Sequence, residues 1–188
     1  AQAHDAGARV VVDATQLAGS GLVDMTRWGA DAVVTSGYKW LSSHGGVALL
    51  AVAHDLCDRL PQIVGWKGTD NFFAFDARTL RLANDARRFE LSTMSYASVV
   101  GLESSMAILS SAGFDRIARH AADLATRLVG RVEGLGWRPF RSLGDPGASP
   151  HIVSLRHARH RPDVTAARLA SEHRIICGGR GDGLRISL

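Results

Sequence analysis

Three unbroken apolar runs mark the first part of the chain: Arg9 to Asp13 (RVVVD), Asp31 to Thr35 (DAVVT) and Gly46 to Ala53 (GVALLAVA). Continuous apolarity without alternation predicts strands covered on both faces, as in a parallel sheet. A polar turn and one helical turn at Met25 to Gly29 separate the first two runs. His54 to Leu60 predicts a short helix stopped by Pro61. Gln62 to Glu90 has no clean period, and irregular stretches of that length are functional loops more often than idle ones.

The second part is helical before it is extended. Val99, Leu102, Met106 and Leu109 recur at helical spacing within Ser98 to Ala112, and Gly113 supplies a stop. Ile117, Leu124, Leu128 and Val132 give the same pattern over Phe114 to Leu135, closed by Leu135-Gly136-Trp137. Ser142 to Ser149 (SLGDPGAS) is turn chemistry. A strand at His151 to Leu155, a helix at Pro162 to His173, and strands at Arg174 to Cys177 and Leu184 to Leu188 then predict a small α+β unit.

Composition narrows the functional classes. The chain has 188 residues, 46% hydrophobic and 21% charged, a globular balance. No apolar run is long enough to span a bilayer, so no membrane role is expected. Cys57 and Cys177 are too few for a disulfide framework or a zinc site, which makes a reducing cytoplasm the expected compartment. The net charge of +4 comes from scattered arginines. Even the densest group, Arg156, Arg159 and Arg161, lacks aromatic interleaving, so no nucleic-acid partner is expected. Both ends read as cuts in a longer protein: Ala1 is not an initiator Met, and Leu184 to Leu188 stops in mid-strand.

Only Lys39 and Lys67 among the 22 basic residues are lysines. An arginine can neither lose its proton nor form an imine, whereas a lysine can do both. Lys39 lies in Thr35-Ser36-Gly37-Tyr38-Lys39-Trp40, directly after the second strand. Asp13 and Gln16 follow the first. Ligands of open parallel sheets bind beyond the carboxyl ends of strands. An acid, an amide, hydroxyls, a phenol and a scarce lysine therefore leave one sheet edge together. Pyridoxal 5'-phosphate asks for that set: a carboxylate for its ring nitrogen, an amine for its aldehyde, and donors for its phosphate. A dinucleotide site would need a glycine-rich turn after the first strand, where Asp13-Ala14-Thr15-Gln16 stands instead. A non-catalytic module would have no use for all of these residues at once.

VVVDATQLAG, ADAVVTSGYKWL and GGVALLAV, continuing through IVGWKG, RRFELSTMSYASVVGLE, HIVSLR and GLRISL, resemble the class V aminotransferase family of fold-type I pyridoxal-phosphate enzymes. The resemblance runs in order over nearly the whole chain. Tyr38-Lys39-Trp40 and Gly65-Trp66 look most like the isopenicillin N epimerase-like branch, beside the selenocysteine lyases and cysteine desulfurases. It implies an α/β fold: the second half of a large domain with a mostly parallel sheet and flanking helices over residues 1–113, then a truncated small α+β domain over residues 114–188. It implies a homodimer acting on an amino acid by aminotransferase, epimerase or lyase chemistry.

The resemblance also assigns residues. Lys39 would carry the cofactor as a Schiff base and move a proton. Asp13 would pair with the ring nitrogen, Gln16 with the ring hydroxyl oxygen, and Ser36 and Tyr38 with the phosphate. Thr93, preceded by Ser92 where relatives have Gly, would reach a partner subunit's phosphate. Arg185 would grip the substrate carboxylate, which a planar guanidinium does in two-point fashion. Desulfurases carry a nucleophilic Cys on the loop that corresponds to Gly178 to Gly183 (GGRGDG). That loop has none, and Cys177 before it reads as a buried, inert thiol. Trp66, Phe72, Phe73 and Phe75 are expected to pack beneath the long loop, and Arg88 with Glu90 to fix it.

Overall fold

A computed structural model describes residues 2–188. It divides into two compact units, the first running to Ala112 and the second from Gly113 to Leu188.

In the first unit a short helix α1 (Gln2–Asp5) precedes strand β1 (Val11–Asp13). Helix α2 (Met25–Trp28) and strands β2 (Ala32–Ser36) and β3 (Ala48–Val52) follow, and helix α3 (Tyr96–Ala112) ends the unit. The sheet order is β1-β2-β3. β1 and β2 are parallel, with Val11 opposite Ala32 and Asp13 opposite Val34. Their crossover is long enough to hold α2, which Asp24 caps at its N-terminus through the Arg27 N–H and Gly29 ends in the left-handed conformation.

β3 departs from expectation. It runs antiparallel to β2, and Ala48 to Ala51 are exposed. The link from Ser36 to Ala48 contains no helix, and parallel strands need a crossover of roughly a dozen residues or more, usually helical. Unbroken apolarity reports which faces want cover; it carries no information on direction. The expected helix at His54 to Leu60 is only a 3-10 turn, His54–Leu56. Residues 62–90 are irregular apart from 3-10 turns at Trp66–Gly68 and Ala86–Phe89.

In the second unit, helix α4 (Phe114–Val132) leads through a 3-10 turn into strand β4 (Trp137–Pro139). Strand β5 (Ile152–His157), helix α5 (Pro162–His173) and strands β6 (Gly178–Arg180) and β7 (Gly183–Ser187) complete it. The antiparallel sheet has the order β4-β5-β7-β6. Ala125, Val153, Leu155 and Leu184 form its core, joined by Leu128, Val132 and Trp137. Trp137 starts a strand rather than closing a helix, because Gly136 at φ 88° turns the chain.

Arg174 to Cys177 was expected as a strand and is not one. Arg174 is itself the left-handed cap of α5, and Ile176 is 85% exposed. The pairing residues are the glycines beyond it: Gly178 to Arg180 form β6, and Gly181-Asp182 make a two-residue turn into β7. The loop expected at Gly178 to Gly183 is thus a hairpin. No single helix among the described residues is long and apolar enough to cross a membrane.

Candidate functional site at the carboxyl ends of β1 and β2

β1 ends in Asp13 and β2 in Ser36, so parallel pairing brings the two strand ends side by side. The chain then turns twice on itself. After β1, the Leu17 and Ala18 N–H groups both donate to the Ala14 carbonyl, which places Thr15 and Gln16 on one tight turn.

Thr15 is the joint of this edge. Its hydroxyl accepts a hydrogen bond from the Ser36 N–H at 3.1 Å, and its own N–H donates to the Asp13 carboxylate at 2.9 Å. The Thr15 hydroxyl and N–H together hold the Asp13 carboxyl below the usual carboxylate range. Asp13 is therefore ionised and exposed at neutral pH, and among the described residues no basic group pairs with it. Thr15 was not among the residues the sequence singled out. Its signal was present, because a Thr two residues after a strand-end Asp is the spacing of an Asx turn.

Lys39 sits on the loop that follows β2. The loop closes on itself: the Gly37 N–H donates to the Val47 carbonyl at 3.0 Å, Ser43 N–H to Gly37 at 2.9 Å, and Ser42 N–H to Lys39 at 2.9 Å. Gly19, at φ 102°, lies with its α-carbon against the Trp40 carbonyl, where a Cβ would overlap it. The turn after β1 and the Lys39 loop are thus in backbone contact, which only glycine allows.

Helix α3 holds the loop from the other side. Ser98 is buried and its hydroxyl donates to the Gly45 carbonyl at 2.9 Å, while the Ser105 hydroxyl donates to the Ser42 carbonyl at 2.8 Å. Ser43 returns a bond to the Ser98 carbonyl at 3.4 Å. Ser42 itself adopts φ 55°, a strained conformation that the Ser105 bond helps to hold. The apolar period of α3 pointed to Leu102, which is buried, and to Met106, which is exposed. Ser98 and Ser105, the serines of α3 that bind the loop, fall on the same stripe as Leu102, but an apolar period passes over them because they are polar.

The Lys39 side chain is exposed, and its Nζ lies 4.9 Å from the centre of the Tyr38 ring. No carboxylate among the described residues lies within ion-pair distance of it. Tyr38 is 54% exposed and Ser36 half-buried. Asp13, Gln16, Ser36, Tyr38 and Lys39 thus leave one edge of one strand pair. Thr93, three residues before α3, is exposed and makes no hydrogen bond to any of them. Arg185 belongs to the second unit: it is half-buried on β7, opposite Ser154 of β5 and Gly178 of β6.

The sequence profile of the family described as "Aminotransferase class-V" matches residues 1–181. The chain belongs to the class V aminotransferase family. An uncharacterised aminotransferase of Bacillus subtilis (strain 168), YcbU, is 28% identical over 182 residues, covering 96% of this chain and 46% of its own length. A cysteine desulfurase of Enterobacter sp. (strain 638) is 28% identical over 162 residues, covering 85% of this chain and 38% of its own. Among solved structures, the apo cysteine desulfurase of Thermococcus onnurineus NA1 superposes with a TM-score of 0.82 at 23% identity, over 98% of this chain and 48% of that one. This class V aminotransferase chain spans less than half the length of the curated relatives it matches. Its α/β fold is theirs.

The remaining expectations divide. Cys177 is half-buried against the core of the second unit, and burial pushes its thiol up from the ordinary value. That is the opposite of what a nucleophilic thiol needs. Arg88 and Glu90 form no ion pair, and the Nε atoms of Arg87 and Arg88 are buried without a hydrogen-bond partner. The aromatic residues of the long loop divide: Phe72 is half-buried against Trp66, whereas Phe73 is 71% and Phe75 75% exposed. No cluster of metal-ligating side chains occurs among the described residues.

Proposed function

We propose that this chain carries the lysine-bearing part of a pyridoxal-phosphate enzyme that acts on an amino acid, with Lys39 as the residue that holds the cofactor. One observation supports the reading most directly. An ionised Asp13 and an amine on Lys39 leave neighbouring strand ends, and neither is spent on an ion pair. With the hydroxyls of Ser36 and Tyr38 on the same strand edge, they form a donor set that suits a pyridine ring with an aldehyde and a phosphate.

When bound, the cofactor would supply an electron sink for a carbanion at the amino acid's α-carbon. The chain's own residues do the rest. The Asp13 carboxylate, kept ionised by Thr15, would hold a proton on the ring nitrogen. Gln16 would pair with the ring hydroxyl oxygen, and Ser36 and Tyr38 would offer hydroxyl donors to the phosphate. The Lys39 amine, exposed on its loop, would be the base that takes and returns the α-proton. Arg185 is the group we assign to the substrate carboxylate, and Thr93 to a phosphate held across a homodimer.

The isopenicillin N epimerase-like branch is supported by Tyr38-Lys39-Trp40 and Gly65-Trp66. A cysteine desulfurase reading draws on several of the relatives by name, but the raised Cys177 thiol and the cysteine-free Gly178 to Gly183 hairpin count against a persulfide mechanism here.

The test is borohydride reduction of the chain mixed with pyridoxal phosphate, followed by peptide mapping. Lys39 and Lys67 are the only lysines, so only two side chains can carry the label. The pyridoxyl group is expected on Lys39. A label on Lys67 alone, or no label above that of a Lys39→Ala control, removes Lys39 from the role.

A further inference from the structure

Lys67, on the 3-10 turn Trp66–Gly68, is half-buried among aromatic rings. Its Nζ lies 4.2 Å from the centre of the Phe72 ring, 4.9 Å from that of Trp66 and 6.0 Å from that of Tyr96. The Arg87 guanidinium stands 5.6 Å from the same Phe72 ring. Ring faces attract a cation, and one cation on a ring is an ordinary fastening. Two on one ring repel each other, and a carboxylate between them is the usual remedy. Among the described residues no carboxylate lies within ion-pair distance of Lys67, Arg87 or Arg88. Three acids of the stretch are engaged elsewhere: Asp70 with Arg81 at 3.5 Å, Asp76 with Arg78 at 3.1 Å, and Asp85 with the Arg87 N–H at 3.0 Å. Glu90 reaches none of the three cations.

The turn that carries Lys67 and the turn that carries Arg87, Ala86–Phe89, are fixed against each other. A Cβ on Gly68 would stand 2.7 Å from the Arg88 carbonyl oxygen and 2.9 Å from that of Glu90. The Gly68 carbonyl accepts from the N–H of buried Ala83 at 2.9 Å. Phe75, held at φ 49°, stacks on Trp66 at 5.9 Å, and Phe72 meets the Trp66 edge at 6.0 Å. The cations therefore stand on a frame that is already in place. Among the described residues, the buried side-chain polar atoms without a hydrogen-bond partner are the Nε atoms of Arg87 and Arg88. Buried polar groups are nearly always satisfied, so this adjacent pair asks for a reason. With Nε closed off, each guanidinium has only its Nη groups for a partner. Arg87 engages one of these in a long bond to the Asp70 carbonyl, at 3.4 Å.

We infer that Lys67 and Arg87, sharing the Phe72 ring, form a binding site for a dianionic oxyanion of the phosphate class. Charge decides the class: an ammonium and a guanidinium with no carboxylate call for two negative charges, which a phosphate group approaches and a single carboxylate does not. Their distances to Phe72 place the two groups near enough for one tetrahedral anion to close the gap with a small movement of either side chain. Nothing in this depends on Lys39, Ser36, Tyr38 or Thr93. Free phosphate and a phosphate ester share the chemistry.

The experiment titrates the chain with inorganic phosphate above pH ~7.5, where it is mostly a dianion, by calorimetry and phosphorus NMR, beside acetate at matched ionic strength. Saturable phosphate binding is expected, with Kd of the order of 1 mM, weakening as salt is added. Acetate should bind about tenfold more weakly, having half the charge. Lys67→Met, which keeps an unbranched stem over the rings, is expected to weaken phosphate about tenfold. Lys67→Arg, which keeps the charge, should stay within about threefold of the parent. Phosphate should raise the Tm of the parent and leave that of Lys67→Met where it was. Ser36→Ala and Thr93→Val should leave phosphate affinity unchanged, which separates this site from the cofactor reading. Phenyl phosphate distinguishes the sources: tighter binding than inorganic phosphate points to an ester whose organic part lies along the rings, and equal binding to the free anion.

Four results would overturn the proposal. They are absence of saturable phosphate binding, acetate as tight as phosphate, full affinity in Lys67→Met, and loss of binding in Ser36→Ala or Thr93→Val, which would place the anion where the cofactor's own phosphate belongs. Lys67→Gln repeats the test should Lys67→Met fail to fold, and full affinity there counts against the site in the same way.

Discussion

Two aspartates stand at opposite ends of the same strand pair, and they are built for opposite purposes. Asp31, at the start of β2, is 6% exposed. It accepts from the Val10 N–H at 2.7 Å, from Arg9 Nη1 at 2.6 Å and from His4 Nε2 at 2.9 Å. Arg9 reaches on to Asp55 at 2.7 Å. Asp13, at the end of β1, is exposed, bound by the turn that follows it, and in no ion pair among the described residues. A carboxylate whose lone pairs are filled by its own chain is a fastening; one that is ionised and left open is available to something else. The lesson is that a carboxylate's local contacts, more than its place in a sheet, separate structure from site.

The largest expected effect lies at the fastened end. Asp31→Ala leaves the Val10 N–H and the Arg9 guanidinium without their acceptor, and should lower Tm by the order of 10 °C in a thermal scan. The same carboxylate sets the acid limb. The Val10 N–H first, then Arg9 and His4, hold its folded-state pKa well below the unfolded value of about 3.9. The sign follows: its contribution is fully present above pH ~4 and is lost as pH falls below that value. Urea midpoints measured from pH 6 downward should fall less steeply in Asp31→Asn than in the parent, and equal slopes would refute the assignment.

The open end should behave in reverse. Asp13→Asn is expected to leave Tm within about 2 °C of the parent, because the amide oxygen can still accept from the Thr15 N–H and the site is exposed. The pyridoxyl label at Lys39 should remain. What falls is exchange of an amino acid's α-proton in the presence of pyridoxal phosphate, by about 10²-fold or more, since an amide cannot keep the ring nitrogen protonated. Undiminished exchange would take Asp13 out of the site.

The smallest effect belongs to the joint. Thr15→Val removes the hydroxyl that accepts from Ser36 N–H and binds Asp13, a cost of about 1 kcal/mol. Thr15→Ser should restore it. Hydrogen exchange at the Ser36 amide gives the sharper readout, faster in Val and near parental in Ser.

The sequence was informative where one residue type or one period decides the outcome. α5 was predicted over Pro162 to His173 and occupies those residues, because proline at its first position and the apolar spacing agree. The strand-end group was visible because a lysine is scarce in this chain and because strand ends are where such residues matter. What stayed hidden depends on partners distant in sequence. Ser98 and Ser105 look like ordinary polar positions on α3 until the loop at 42–45 is seen beneath them. β3's direction lies in the length of a connection and not in its apolar residues. Phe75 looked like packing because composition cannot show a backbone angle.

The serine bonds to the Lys39 loop also set an order in time. Ser105 reaches Ser42 across 63 positions, and Ser98 reaches Gly45 across 53. A ribosome adding 5–20 residues per second needs about 3–12 s to travel that distance. During that interval Lys39 has been synthesised, but its loop lacks the helix that gives it shape, and closing so long a segment is itself an entropic cost. The residue on which the chemistry would depend is translated before the helix that sets it in place. A chain interrupted before Ser105 would therefore contain the lysine without the helix that fastens its loop.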